Sequence, residues 1–299
     1  MTQTSISRRR SAPANGATRP SPHPRRHLPP SAFLIHGVLM VFVVIALGPI
    51  FMIVMNSLKT QQGIFGGPFD LPNAETFSFD GYFRVFQLGD FGNLYFNSAT
   101  VTIVTTVLTV GLATIAAFAI VEYKIRLAPV LSAFFIIGIM LPVRLGTVSL
   151  LQMMSSWNLV NTTLALILVY TGMSLPLGVA LMVTYFRSIP QELKDAARID
   201  GAGEFQTLGV VTPMVRPGLG AVAALTMLPI WNDLWFPLIL APGRSTQTVT
   251  LGVQQFMGQY DSDWPALLAA LTLGAIPLIL LFLVFSKQFI KGLSEGYGK

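Results

Sequence analysis

Most side-chain sets that carry covalent or metal chemistry are absent from this chain. Its only histidines are His23, His27 and His36, all before or at the start of the first long apolar run. Gly172-Met173-Ser174 is not followed by the glycine of a nucleophile elbow, so a Ser–His hydrolase has no basis. No G-x-x-x-x-G-K-[ST] occurs, so hydrolysis of ATP through a P-loop would have to come from a partner. Without H-E-x-x-H or any cysteine, neither a zincin site nor a thiolate metal site is available. The expectation is therefore no catalytic residue, no metal and no cofactor in this chain. Two constellations remain. One is Trp231-Asn232-Asp233, where an ionisable group sits in apolar surroundings. Such a group marks a substrate pathway by default, and the competing reading is a carboxylate merely solvated near an outer interface.

The other constellation is Phe186 to Gly218, the only long charge-dense segment in the second half of the chain. Ser188 and Gln191 have the S-x-x-Q spacing of a capping box, and Pro190 suits a first turn. A helix is expected from there to Gly201, a residue able to take the left-handed conformation that ends helices. Ile189, Leu193, Ala196 and Ala197 fall on one side at helical spacing, with Glu192, Lys194, Asp195 and Arg198 elsewhere or flanking it. After Ala202-Gly203 a second amphipathic run, Glu204 to Val211, ends ahead of Pro213. The unit reads as helix, tight turn, helix. It is either an ordinary surface elbow or a docking surface whose narrow, alanine-rich side lets a partner approach the backbone.

What must hold these residues is a set of greasy rods. The chain has 299 residues, 53% hydrophobic and 11% charged, against roughly 25% charged in soluble domains, so it is a membrane protein. Apolar runs at 32–56, 95–121, 128–149, 163–186, 217–240 and 265–286 are each long enough for the ~20 residues that cross a bilayer. The Thr, Gly and Ala of the second run predict a buried packing helix, and Leu141-Pro142 predicts a bend in the third. The stretch Arg144 to Asn161 is less apolar and is expected to lie partly along the outer surface. Residues 1–31 carry six arginines and no acid, and read as a disordered basic tail rather than a signal peptide, since the run that follows is too long for an h-region. Fifteen of the nineteen Lys and Arg fall on the side of the tail, the 187–216 elbow and the 287–299 terminus, which places all three in the cytoplasm. This distribution also accounts for the net charge of +6 better than a nucleic-acid footprint does. The first outer loop holds Phe65, Phe69, Phe77, Phe79, Tyr82, Phe83, Phe86 and Phe91, which suit a headgroup belt with local packing or a platform for an external protein.

The run E-L-x-[ED]-A-A-x-I-D-G-A from Glu192 to Ala202, followed by Gln206, Pro213 and Pro217, resembles the EAA loop of ABC importer permeases. In that family the loop is a coupling helix seated in a cleft of the ATPase subunit. The resemblance thus assigns coupling to Glu192, Leu193, Asp195, Ala196, Ala197, Asp200 and Gly201. Asp195 stands where the family has Glu, one methylene longer, so the salt bridge that the Glu would make to the ATPase is expected to be longer or water-mediated here. Thr212-Pro213 replaces the usual Leu-Pro. From residue 32 onward, Ser57-Leu58-Lys59, Asn97-Ser98, Trp231-Asn232-Asp233, Thr250 to Phe256 and Lys291-Gly292-Leu293 are similar to the second permease subunit of maltose-type carbohydrate importers. The basic tail has no counterpart. The resemblance implies an all-α integral membrane protein with six transmembrane helices and type I ABC importer permease architecture. It implies a sugar substrate, a homologous permease as heterodimer partner, two ATP-binding subunits carrying ATP and Mg, and an extracytoplasmic sugar-binding protein. It also implies that the sugar is held chiefly by the other permease. A secondary transporter or channel is the rival, and would need ionisable groups at membrane depth; apart from Asp233 the runs hold almost none.

Overall fold

A computed structural model of the chain describes residues 30–88, 90–123, 127–258 and 262–297. The chain falls into two units, residues 1–48 and 49–299. Of the tail expected over residues 1–31, all but Pro30 and Ser31 lie outside the described residues, and these two already belong to helix α1, Pro30–Asn56. Its sequence is apolar all round, as a lipid-facing span requires. Among the described residues the chain is helical, with one isolated antiparallel bridge between Lys59 and Phe77.

Two short helices follow α1: α2, Gln61–Gly66, capped by the Thr60 hydroxyl, which accepts from the Gly63 N–H at 3.2 Å, and α3, Asp80–Leu88. Around them Phe65, Phe69, Phe77, Phe79, Phe83 and Phe86 are exposed, whereas Phe91 is buried. Helix α4, Phe91–Glu122, is the packing helix expected from its Thr and Ala content. It buries Thr102, Thr105, Thr106, Thr109, Ala113 and Ala117, and the Thr106 and Thr114 hydroxyls donate back to the carbonyls of Thr102 (2.7 Å) and Val110 (2.6 Å). Small side chains let helices close up in lipid, where apolar burial gives little drive.

The third run, expected over 128–149 with a bend at Leu141-Pro142, is broken there. Helix α5, Ala128–Met140, stops because Leu141 precedes a proline and takes an extended conformation, φ −72° and ψ 125°. A 3₁₀ turn, Val143–Gly146, and α6, Thr147–Ser156, then run at 82° to α5. Thirteen residues of helix reach only ~20 Å, short of a ~30 Å hydrocarbon core. Among the described residues five helices are long and apolar enough to cross a membrane, and this bent pair makes the sixth when taken as one span.

Helix α7, Thr163–Arg187, leads to the elbow: α8, Gln191–Ile199, then α9, Glu204–Val211, and a 3₁₀ turn, Thr212–Val215. The fifth run, expected over 217–240, is helical as α10, Arg216–Asn232, and breaks at Asp233-Leu234 before α11, Trp235–Leu240. A single turn α12, Val249–Gly252, precedes α13, Trp264–Tyr297, so the terminus expected as a tail from 287 continues the last helix.

Helices α4, α7 and α10 form the centre of the second unit. At their crossing a Cβ on Gly178 of α7 would lie 3.1 Å from the Ala113 Cβ, 3.3 Å from Val222 and 3.4 Å from Thr109. Toward the elbow, Phe118, Met182, Phe186, Ile189, Val211 and Val215 make one apolar cluster. Toward the other end, residues that carry the family resemblance act as pins. Asn97 donates to the carbonyls of Ser245 (2.9 Å) and Gln247 (3.0 Å), and the Ser98 hydroxyl accepts from the Val249 N–H at 2.8 Å. Lys59 is buried, its ammonium donating to the Gly67 carbonyl at 2.8 Å.

Candidate functional site: the charged elbow and the cavity between the fourth and fifth spans

Helix α8 begins differently from the capping-box expectation. Ser188 caps the end of α7, its hydroxyl donating to the Tyr185 carbonyl at 2.7 Å, and Pro190 holds the N-cap position of α8 with no side-chain cap. The proline competes successfully because its fixed φ, here −56°, already suits the entry and its absent N–H needs no acceptor. The C-terminal expectation holds. Gly201 has φ +83°, with the Ala202 N–H donating to the Ala197 carbonyl and the Gly201 N–H to Arg198, both at 3.0 Å. These two bonds make a Schellman turn, which fixes the angle between α8 and α9. Gly203 then starts α9, its N–H donating to the Gln206 side chain at 2.8 Å.

The expected division of α8 into an apolar docking side and a polar outer side is partly reversed. Lys194 points inward, with Ala197 and Arg198 half-buried beside it. Glu192, Leu193, Asp195, Ala196 and Asp200 are exposed, and Ile199 and Phe205 are 85% and 82% exposed. Ile189 alone of the expected apolar set is buried in the core.

What turns Lys194 inward is Glu122, the last residue of α4. Its side chain is 2% exposed and that of Lys194 3%. The Lys194 ammonium lies 3.0 Å from Glu122 Oε2, and Arg198 lies 2.7 Å and Gln191 3.3 Å from Oε1. Arg198 also reaches Glu204 of α9 at 3.3 Å and Asp195 at 3.7 Å. Its hydrogen bonds to Glu122 first, and to Glu204 next, hold the Arg198 guanidinium above its ordinary value. Glu122 thus ties α8 directly, and α9 by way of Arg198 and Glu204, to the end of the second span. Glu122, Ile199 and Phe205 are absent from the sequence-derived set. A lone acid closing a thirty-residue apolar run is the signal that points to Glu122.

The second constellation divides. Trp231 turns away into a buried cluster, its indole N–H donating to the Gly274 carbonyl of α13 at 3.1 Å. Asn232 and Asp233 line a cavity of about 440 Å³ between α7 and α10. Asp233 is neither free nor simply solvated: Oδ2 accepts from the Tyr170 hydroxyl at 2.7 Å and from the Phe236 N–H at 3.1 Å. The latter bond, with a weaker one from the Trp235 N–H at 3.4 Å, starts α11 and explains why α10 ends where it does. Arg144, on the 3₁₀ turn after α5, reaches Asp233 Oδ1 at 3.7 Å and stacks 5.9 Å over the Trp235 ring.

A family model described as "Binding-protein-dependent transport system inner membrane component" matches residues 109–295, which include the elbow and the cavity. The chain is 29% identical over 268 residues to the diacetylchitobiose uptake system permease protein NgcG of Streptomyces coelicolor, covering 89% of this chain and 88% of that one. It is 29% identical to the sulfoquinovosyl glycerol transport system permease protein SmoH of Agrobacterium fabrum, covering 91% and 93%. A crystal structure of a bacterial ABC transporter involved in the import of the acidic polysaccharide alginate contains a chain of the same fold, with TM-score 0.77 and 21% identity, covering 87% of this chain and 96% of that chain.

Proposed function

Because the chain belongs to the family of binding-protein-dependent transport system inner membrane components, we propose that it is one permease subunit of an ABC importer that brings a carbohydrate into the cell. Alternating access of its spans is driven by two separate ATP-binding subunits, which carry ATP and Mg. The spans pair with a homologous permease, and an extracytoplasmic sugar-binding protein delivers the cargo. Both termini and the elbow lie in the cytoplasm, as the Lys and Arg distribution favours. Sugar as the cargo class is supported by the names of the relatives, two of which denote uptake of sugar derivatives.

The observation that carries this reading is the form of the elbow. Leu193, Ile199 and Phe205 stand exposed among the charges of Glu192, Asp195 and Asp200, which is the composition of an amphipathic plug for a groove in a partner. A plug transmits force only if its base is stiff, and the Glu122 clasp and the Gly201 turn supply that stiffness. Glu192, Leu193, Asp195, Ala196 and Asp200 then meet the ATPase, joined by Ile199 and Phe205. Ala197 and Gly201 set the shape behind them.

The test is reconstitution into liposomes of this chain with its co-expressed neighbours. Uptake that requires both ATP and the binding protein is the expected result. Gradient-driven uptake by this polypeptide alone would replace the importer reading with a secondary transporter.

A further inference from the structure

Asp233 and Arg144 face each other at the polar end of the cavity, and their hydrogen-bonding capacity is unevenly spent. Asp233 Oδ2 is occupied by Tyr170 and the Phe236 N–H, at 2.7 and 3.1 Å. Its Oδ1 has only long contacts, 3.4 Å from the Trp235 N–H and 3.7 Å from Arg144. A carboxylate oxygen accepts about two hydrogen bonds, so Oδ1 retains capacity. Arg144 has five N–H donors in a fixed fork. Its side chain is 71% exposed, held by that one long contact and by the Trp235 ring.

We infer that Arg144 and Asp233 form a clamp for two neighbouring hydroxyls of a neutral sugar, so that this subunit itself contacts the cargo at the mouth of the cavity. The inference deepens the importer reading and rests on it. Asp233 Oδ1 accepts from one hydroxyl while the guanidinium donates to the next oxygen, a pairing that the loose 3.7 Å contact can open to admit. The cavity's about 440 Å³ lies within the ~300–1,000 Å³ of small-molecule sites. Below the clamp its walls are mostly apolar, Met173, Leu177, Val222 and Leu225 among them. A sugar presents the matching pattern, hydroxyls along one edge and C–H groups on its faces. Neutrality follows from charge. Among the described residues lining the cavity, Arg144 is the one base and Asp233 the one carboxylic acid, a pair of opposite sign. A uronate or sulfonate would bring its acceptor oxygens up against those of Asp233, whose Oδ1 needs a donor and whose Oδ2 is already taken by Tyr170 and the Phe236 N–H. The two residues also stand at the two helix breaks, Arg144 just after Leu141-Pro142 and Asp233 between α10 and α11. Their separation therefore reports how the broken helices meet.

The experiment uses the assembled transporter in proteoliposomes with its binding protein. Calorimetry on the binding protein with maltose, melibiose, diacetylchitobiose and digalacturonate selects the probe, and initial uptake is then measured against its concentration. Arg144→Gln should lower uptake below saturation about tenfold or more, as loss of a charged hydrogen bond predicts. The Arg144→Gln/Asp233→Asn double variant should be no worse than the poorer single one, because both read the same pair of hydroxyls. Since the Arg144 side chain is mostly in solvent, assembly by gel filtration should be retained. Uptake by Arg144→Gln within threefold of wild type, fully multiplicative losses in the double variant, or a binding protein that takes only digalacturonate each overturns the clamp. Failure of the importer reading is distinct: it shows in the wild type, as absence of ATP-dependent uptake.

Discussion

Replacing Glu122 with Gln keeps the size of the side chain and removes its charge, and the structure fixes which partner suffers. Arg198 is one-third exposed and keeps Glu204 and Asp195 at 3.3 and 3.7 Å, so its loss is small in solvent-screened surroundings. Lys194 has its one ion pair with Glu122 and a side chain 3% exposed, so it is left as a buried, uncompensated ammonium. Breaking such a pair on one side costs ~3–5 kcal/mol. Part of this is recovered, because the Gln oxygen still accepts a hydrogen bond, which leaves roughly 3 kcal/mol. At 1.36 kcal/mol per factor of ten, the population with α8 detached from α4 rises on the order of a hundredfold. Hydrogen exchange of the α8 amides reads this directly, since protection scales with local opening. Residues 191–199 should lose about two decades of protection while the centre of α4 keeps its own. In the Glu122→Gln/Lys194→Met double variant, with both charges gone and a side chain of similar length in place, most of the protection should return. Unchanged α8 exchange in Glu122→Gln would refute the argument, and so would a double variant as labile as the single one.

Other outcomes follow from the same geometry. Gly201→Val puts a β-branched residue at φ +83°, costing at least ~1–2 kcal/mol, and should lower the thermal midpoint of the purified complex and its uptake, with Gly201→Asn milder in both assays. Ala197→Trp forces a large ring into the half-buried side of α8 and should abolish uptake while membrane insertion, measured by fractionation, is normal. Because hydrogen bonds to Glu122, and next to Glu204, hold the Arg198 guanidinium above its ordinary value, its contribution is fully present below the ordinary guanidinium range and lost only as pH rises through the raised value. Exchange of α8, corrected for intrinsic rates, should accordingly show no Arg198-dependent change between pH 6 and 9, and a titration in that window abolished by Arg198→Lys would contradict this.

The punctuation of the elbow was readable locally, because a glycine at a left-handed turn and a proline after a short helix impose their geometry wherever they occur. Pro142 likewise announced a break, although its depth, 82°, depends on where α6 packs. The inward turn of Lys194 was not readable, since a helical wheel drawn on α8 alone sends charge outward and the partner, Glu122, lies seventy-two residues earlier. Ser188 misled for a related reason. Its hydroxyl satisfied a carbonyl at the end of α7, a use that competes with capping α8 and that the spacing does not distinguish. Asp233 reads as costly in the sequence, and its role in starting α11 shows there only as an acid followed by backbone N–H groups two and three residues on. Trp231 looked like part of the same group, yet consecutive residues on a helix diverge by about 100°, which sends its ring to α13 instead.

Gly178 has a consequence for how α7 moves. With Ala113, Val222 and Thr109 each within a methyl's reach of its missing Cβ, the rod is gripped near its midpoint on both neighbouring sides, so lengthwise sliding drives atoms together while tilting does not. A tug on the Phe186 end is therefore returned at the Tyr170 end in the opposite sense, as on a seesaw.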